Sequence, residues 1–161
     1  MIAARSLAPA LIAIVLTAAW LGAVAIVGAV VAPAAFDVLP SRTLAGALVG
    51  RVLPVLFLGG IITAVVSLAI TWPLAARAAR LGTAVVQCAA CVAAQLVIAP
   101  KIERIRAAVA GPIDALAVSD PRRVDFGRLH ALSVGLLGVA AIAALIGLVL
   151  LSRSIPPLHD A

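Results

Sequence analysis

The chain has 161 residues, of which 65% are hydrophobic and only 11% charged, and its mean hydropathy is +1.28. An average soluble domain has about 25% charged residues, so this chain lacks the polar residues needed to cover a water-soluble surface. The formal net charge is +6, but the basic residues flank apolar runs, which is typical of lipid-headgroup contacts and not of a nucleic-acid surface. The composition excludes a soluble globular domain and indicates an integral membrane protein.

The first half of the chain contains two apolar runs long enough to cross a membrane. The first span, at about 7–32, exceeds the apolar region of a secretory signal peptide, and we expect it to end before a turn that follows Pro33. The second span, at about 46–71, lies in a helix that begins after Ser41, a favourable N-cap residue. The helix ends before Trp72, because a proline follows that residue.

Two further spans are predicted in the second half of the chain. The third covers about 82–100 and can continue past Pro100 as an amphipathic stem. The fourth covers about 129–151, in a helix that Asp120 is expected to cap. Residues 152–161 form a short tail. We predict a single all-α transmembrane domain, a bundle of four helices in up-down-up-down order.

Several polar residues lie inside the predicted spans. Gln87, Cys88, Cys91 and Gln95 share one stripe of the third helix. Two thiolates can bind Cu(I), but free cysteine is commonly buried as a small hydrophobic residue, and the sequence supplies no nearby His or Met. We therefore expect no metal and no cofactor. Hydroxyl groups at every fourth position of the second helix are interpreted as helix–helix contacts: Thr63, Ser67 and Thr71.

Ionisable side chains gather where three predicted helix ends meet at one membrane face. Charged groups at membrane depth are costly and are functional candidates, although interfacial anchors and ion pairs are the alternative interpretation. Their neighbours include an unusual His-x-x-Ser pair at the start of the fourth span. The candidate ligand-binding residues are Phe36, Asp37, Arg42, Arg51, Pro100, Glu103, Arg104, His130 and Ser133.

Several kinds of chemistry find no support in the sequence. His130 is the only histidine at membrane level, so one chain cannot bind haem through two histidines. No nucleophile elbow, zinc-ligand cluster, phosphate-binding loop or dinucleotide fingerprint is present in the sequence. We therefore expect a protein that is not an enzyme.

Three blocks of sequence carry a family resemblance. They are AAWLGAVAIVGAVVAPAAFDVLPSRTLAGALVGRVLPVLF at Ala18–Phe57, IAPKIERIR at Ile98–Arg106 and VDFGRLHALS at Val124–Ser133. In this order they resemble the transmembrane protein 205-like family, known in bacteria as domain of unknown function 4149. The resemblance implies a multi-pass protein of the bacterial inner or cell membrane with no established reaction. Leu137 stands where family members often carry an asparagine.

The leading functional hypothesis is a non-enzymatic protein that binds, or helps to move, a small solute, metal or lipid through a polar vestibule. Arg42, Arg51 and Arg104 would supply its cationic side, because arginine forks suit carboxylates and phosphates. The alternatives are a structural or interaction subunit of a membrane complex and a copper- or redox-handling protein. We expect the lipid bilayer as a partner and no nucleic acid; a homo-oligomer is left open.

Overall fold

The computed structural model describes residues 2–74 and 76–154, with side chains from residue 7 onward, as helices joined by short turns. No strand occurs in these ranges. Four stretches of 29 to 32 residues are long and apolar enough to span a membrane: Leu7–Val38, Arg42–Ile70, Arg77–Ala107 and Pro121–Ser152. About 20 residues suffice for a span. The predicted all-α class with four membrane helices is confirmed, and the chain is a multi-pass membrane protein.

The described part of the chain contains six α-helices, two π-helical turns and one 3-10 turn, and the 3-10 turn lies between the third and fourth stretches. In chain order the elements are α1 (Ile2–Ile26), a π turn (Val27–Val31), α2 (Ala32–Val38), α3 (Arg42–Ile70), α4 (Arg77–Val92), a π turn (Ala93–Ile98), α5 (Ala99–Ala107), a 3-10 turn (Ile113–Ala115) and α6 (Pro121–Ser152). The predicted tail falls mostly outside the described residues, since the described chain stops at residue 154.

Both predicted helix caps are present. The Ser41 hydroxyl accepts a hydrogen bond from the Leu44 backbone N–H at 3.2 Å, so α3 begins one residue later. The Asp120 carboxylate accepts from the Arg122 backbone N–H at 2.9 Å at the start of α6. The Arg122 guanidinium also donates to this carboxylate and lowers the pKa of Asp120 to about 2. The cap therefore stays ionised at neutral pH.

Pro33 does not end the first membrane helix, and this corrects the predicted turn after it. A π turn precedes α2, which contains Pro33, and another precedes α5, which contains Pro100: the N–H of Ala32 donates to the Val27 carbonyl, and the N–H of Ala99 donates to the Ala94 carbonyl. A proline in a helix lacks an N–H and clashes with the carbonyl four residues back. The wider turn accommodates this conflict, so the helix continues past Pro33 and, in the third stretch, past Pro100.

The helices close into a ring in which α1 and α4 each pack against α3 and α6. The core includes Trp20, Phe57, Cys91 and Leu137. The Trp20 indole N–H donates to the Leu56 carbonyl at 2.8 Å, which ties α1 to α3. These contacts form an apolar centre between two polar regions at the ends of the bundle.

The outer faces of the helices carry large exposed apolar side chains along their length, including Val15, Val55 and Ile142. A surface of this kind faces lipid in a protein without enough polar residues to cover it. A Cβ atom added at Gly22, Gly135 or Gly138 would meet no other residue of the bundle within 4 Å. These glycines are not sites of close helix packing within the chain.

Candidate functional site

A cavity of about 340 Å³ lies where the end of α2, the start of α3, the end of α5 and the start of α6 meet. We call it the Arg106 cavity. Both charges and aromatic rings contribute to its wall, which includes Phe36, Arg42, Ala47, Arg106, Asp114, Phe126 and His130. Small-molecule sites in proteins commonly have volumes of about 300–1,000 Å³, so a small ligand fits.

The Arg106 guanidinium is held by three neighbours. Its Nη1 lies 3.0 Å from Glu103 Oε1, and its Nη2 donates to the Gly46 carbonyl at 3.4 Å. Its Cζ lies 5.5 Å from the centre of the Phe126 ring, a cation–π distance. The Phe126 ring in turn stacks on His130 with centroids 6.3 Å apart. These contacts fix the orientation of the guanidinium plane.

Two glycines of α3 lie against this arginine, and one of them makes room for it. A Cβ atom at Gly50 would lie 3.2 Å from Arg106 Nη1, closer than most Cβ contacts. Gly46, one turn earlier, presents its carbonyl to Nη2. Because Gly50 has no side chain, the guanidinium can lie directly against the α3 backbone.

The loop before α6 is anchored beside the cavity. Gly111 has a φ of +128°, which favours glycine and redirects the chain after α5. Arg123 Nη1 donates to the carbonyls of Asp114 at 3.1 Å and Leu116 at 2.7 Å. Arg123 thus holds the loop that places Asp114 in the cavity wall.

A smaller crevice of about 50 Å³ adjoins the cavity and lies between α3, α6 and the π turn of the third stretch. We call it the Gln95 crevice. It shares Gly46, Arg106 and His130 with the cavity wall, and Ser133, which is only 4% exposed, also lines it. Gln95 Oε1 is buried and has no hydrogen-bond partner. The crevice therefore lies beside a buried, unsatisfied acceptor deeper in the bundle.

The structure brings five of the nine candidate residues together. Phe36, Arg42 and His130 line the cavity, and Glu103, His130 and Ser133 line the crevice. The remaining four candidates are exposed and line neither space: Asp37, Arg51, Pro100 and Arg104. Arg104 instead borders a shallow surface depression with Lys101, Asp125 and Arg128.

Arg106, and not the predicted Arg104, lies in the wall of the cavity and of the crevice. The two arginines are two positions apart, which puts them on nearly opposite sides of a helix. Arg106 follows Ile102 by one turn and borders the half-buried face that Ile102 and Ile105 form. This spacing was a usable signal in the sequence. Gln95 and Phe126 were also missed, because their relation to the cavity depends on how α5 and α6 pack.

A second polar cluster lies at the opposite end of α3 and the start of α4. Arg80, only 5% exposed, donates from Nη1 to Thr71 Oγ1 at 2.6 Å and from Nη2 to the carbonyls of Thr71 and Leu74 at 2.9 Å. A cavity of about 40 Å³ beside it is also lined by Thr17 and Ser67. Two of the three predicted hydroxyl positions therefore lie in this cluster: Thr71 contacts the arginine, and Ser67 Oγ lies 3.4 Å from Thr17 Oγ1 of α1.

The remaining polar residues of α4 make core contacts. Gln87 Nε2 donates to the Gly60 carbonyl at 2.9 Å. Cys91 is fully buried and Cys88 is half-buried. Within residues 2–74 and 76–154, no group of three His, Cys, Asp or Glu side chains could share a metal ion. The copper alternative thus has two thiols and no third ligand in this part of the chain.

Comparison with known proteins identifies the family but no activity. A family model described as a domain of unknown function (DUF4149) matches residues 15–110, more than half of the chain. No curated protein and no solved structure matches. The matched region covers most of the first three spans, including Arg42, Gln95 and Arg106, while His130 lies beyond it. The chain belongs to the DUF4149 family.

Proposed function

We propose that the protein is a non-enzymatic membrane protein that binds a carboxylate or phosphate group in the Arg106 cavity. The observation that carries this proposal is the guanidinium of Arg106 in the cavity wall, with Arg42 as a second arginine. A guanidinium has five N–H donors, and the contacts with Glu103 and Gly46 use two of them. Further donors are then available to an anionic ligand, and arginine forks match such groups geometrically.

Pre-organisation supports the same proposal. Glu103, Gly46 and Phe126 hold the Arg106 guanidinium in one orientation before a ligand arrives. A side chain that is already ordered loses little conformational entropy on binding, which favours affinity. Asp114 and Glu103 balance part of the positive charge, so the cavity suits a single small anionic group whose other substituents are neutral or polar.

The proposal includes a location and a partner. The cavity is the mouth of a vestibule at one face of the lipid bilayer, in an up-down-up-down bundle, and His130 and Ser133 lead from it toward the membrane interior. The exposed apolar faces support the bilayer as the partner. The resemblance to bacterial relatives supports the inner membrane as the location. The ligand is bound there, or handed across, without being chemically changed.

Replacing Arg106 with glutamine is expected to weaken the binding of inorganic phosphate at least about tenfold. A hydrogen bond to a charged group contributes about 1.5–3 kcal/mol, which corresponds to roughly 10- to 100-fold in affinity. Calorimetric titration of phosphate into protein in a neutral detergent measures this. Arg104→Gln is the matched control. It removes the same charge at a position two residues earlier, where the side chain lies outside the cavity. This variant should change the affinity less than twofold.

Equal losses in the two variants would mean that net charge, not the cavity, governs binding. No saturable phosphate binding by the unaltered protein would refute the proposal directly. Size-exclusion chromatography shows whether each variant remains monodisperse, and we expect both to do so because both side chains reach the protein surface.

A further inference from the structure

The Gln95 crevice contains an unsatisfied hydrogen-bond acceptor. Gln95 Oε1 is buried without a partner, although buried side-chain oxygens usually have one. Gln95 belongs to the π turn Ala93–Ile98. An unpaired acceptor in a membrane bundle costs free energy, and a donor from a ligand would remove that cost.

The crevice adjoins the proposed anion site. Gly46, Arg106 and His130 belong to the walls of both the crevice and the cavity. A ligand whose anionic group contacts Arg106 can therefore extend a second group toward Gln95. The crevice volume of about 50 Å³ exceeds the 10–15 Å³ or so that one water requires, so a hydroxymethyl group fits.

The charges around the crevice decide the chemistry of that second group. Glu103 lines the crevice but is paired with Arg106 at 3.0 Å, so the two charges offset each other. A primary ammonium would lose its hydration and face the Arg106 guanidinium, which is unfavourable. A neutral hydroxyl can donate to Gln95 Oε1 and can also accept from the Ser133 hydroxyl, which lines the same space.

We infer that the Gln95 crevice is a subsite for a hydroxyl group of an anionic polyol, with glycerol phosphate as the simplest example. The inference rests on the proposed function, because the phosphate occupies the Arg106 cavity. The same chemistry occurs in free glycerol phosphate and in the headgroup of phosphatidylglycerol. The hydroxyl of the ligand donates a hydrogen bond to Gln95 Oε1. The contact between the phosphate and Arg106 determines how far this hydroxyl reaches into the crevice.

Glycerol 3-phosphate and propyl phosphate test the inference, since they share the phosphate and the three-carbon chain but only the first has hydroxyls. In calorimetric titrations, we expect glycerol 3-phosphate to bind the unaltered protein about tenfold more tightly, which corresponds to one hydrogen bond to a buried acceptor. In Gln95→Leu this preference should vanish while propyl phosphate affinity changes less than twofold. Val97→Leu, on the outward side of the same π turn, should retain the preference.

Equal affinities of the two compounds for the unaltered protein would overturn the subsite and leave the anion site intact. A preference that persists in Gln95→Leu would also overturn it. If neither compound binds, nor inorganic phosphate, the proposed function fails together with the inference. Repeating the comparison in nanodiscs with phosphatidylglycerol and phosphatidylpropanol identifies the source: a preference confined to the lipid pair assigns the subsite to a headgroup, and one confined to the soluble pair assigns it to a free polyol phosphate.

Discussion

The Gly60→Val substitution is expected to lower the free energy of unfolding by about 3 kcal/mol or more. A Cβ atom at Gly60 would lie 2.8 Å from both Cys91 Sγ and Trp20 Cζ2, distances that real Cβ atoms essentially never show. Neither neighbour can move easily, because Cys91 is fully buried and the Trp20 indole is hydrogen-bonded to Leu56. Overpacking of a core typically costs about 1–3 kcal/mol, occasionally more, and valine adds two methyl groups beyond the Cβ.

Reversible unfolding of the purified protein in mixed micelles with increasing SDS measures this change. Gly22→Val is the control, since a Cβ there meets no other residue within 4 Å and the substitution makes the same change in side chain within a membrane helix. We expect Gly22→Val to change stability by less than about 1 kcal/mol. Equal stability of the two variants would show that α1, α3 and α4 do not approach as closely at Gly60 as described.

The Arg80→Met substitution is expected to destabilise the protein by about 3 kcal/mol, at the opposite end of the bundle from the proposed site. Arg80 donates to Thr71 Oγ1 and to two backbone carbonyls at the end of α3. Without the guanidinium, the buried Thr71 loses two of these contacts. Hydrogen bonds to a charged group contribute about 1.5–3 kcal/mol each. The Thr71 hydroxyl still donates to the Ser67 carbonyl and the Thr71 carbonyl still accepts from the Leu74 N–H, so the expected cost is that of losing the charged donor and not that of leaving these groups without any partner.

An opposing effect makes this prediction informative. Methionine avoids the cost of holding a charge inside a membrane protein, which is about 2.5–3.5 kcal/mol at the centre of a span. Arg80 lies in the first turn of α4, near the end of its span, so this cost is small there and the loss of hydrogen bonds dominates. The stability of Arg80→Lys should lie between that of the unaltered protein and that of Arg80→Met, because an ammonium keeps the charge but cannot donate as a fork.

Arg77→Met provides the control for this pair in the same unfolding assay. Arg77 is exposed and its Cζ lies 5.0 Å from the centre of the Trp72 ring, a contact that contributes about 0.5–1 kcal/mol at an exposed site. If Arg80→Met were as stable as the unaltered protein, the hydrogen bonds of Arg80 would not be what stabilises the contact between α3 and α4. Phosphate binding should be the same in all three variants, since these residues are remote from the Arg106 cavity.

Most of the fold was predictable from the sequence because its signals are local. Long apolar runs determine the four membrane helices, and Ser41 and Asp120 have the side chains and positions of N-caps. The continuation past Pro33 was not predictable, because it depends on a shift of one hydrogen bond in the preceding turn. A proline alone indicates a conflict in the helix. It does not indicate whether the helix ends there or continues through a wider turn.

The candidate site was predictable in place but only partly in composition. His130, Ser133, Arg42 and Glu103 converge as expected, since the ends of three helices meet. To choose Arg106 over Arg104, one would have to know which face of α5 packs against α3 and α6. The unpaired Gln95 oxygen had no sequence signal, because a lack of hydrogen-bond partners emerges only when the surrounding helices are packed.

The measurement that tests the central claim most directly is a phosphate titration of the Ala47→Trp variant. Ala47 lines the Arg106 cavity and carries no charge, so an indole there fills the space without altering the electrostatics. We predict that phosphate affinity falls more than tenfold in Ala47→Trp and stays within twofold in Leu48→Trp, whose side chain is exposed and outside the cavity wall. Phosphate binding to Ala47→Trp with unchanged affinity would contradict the assignment of the anion site to this cavity.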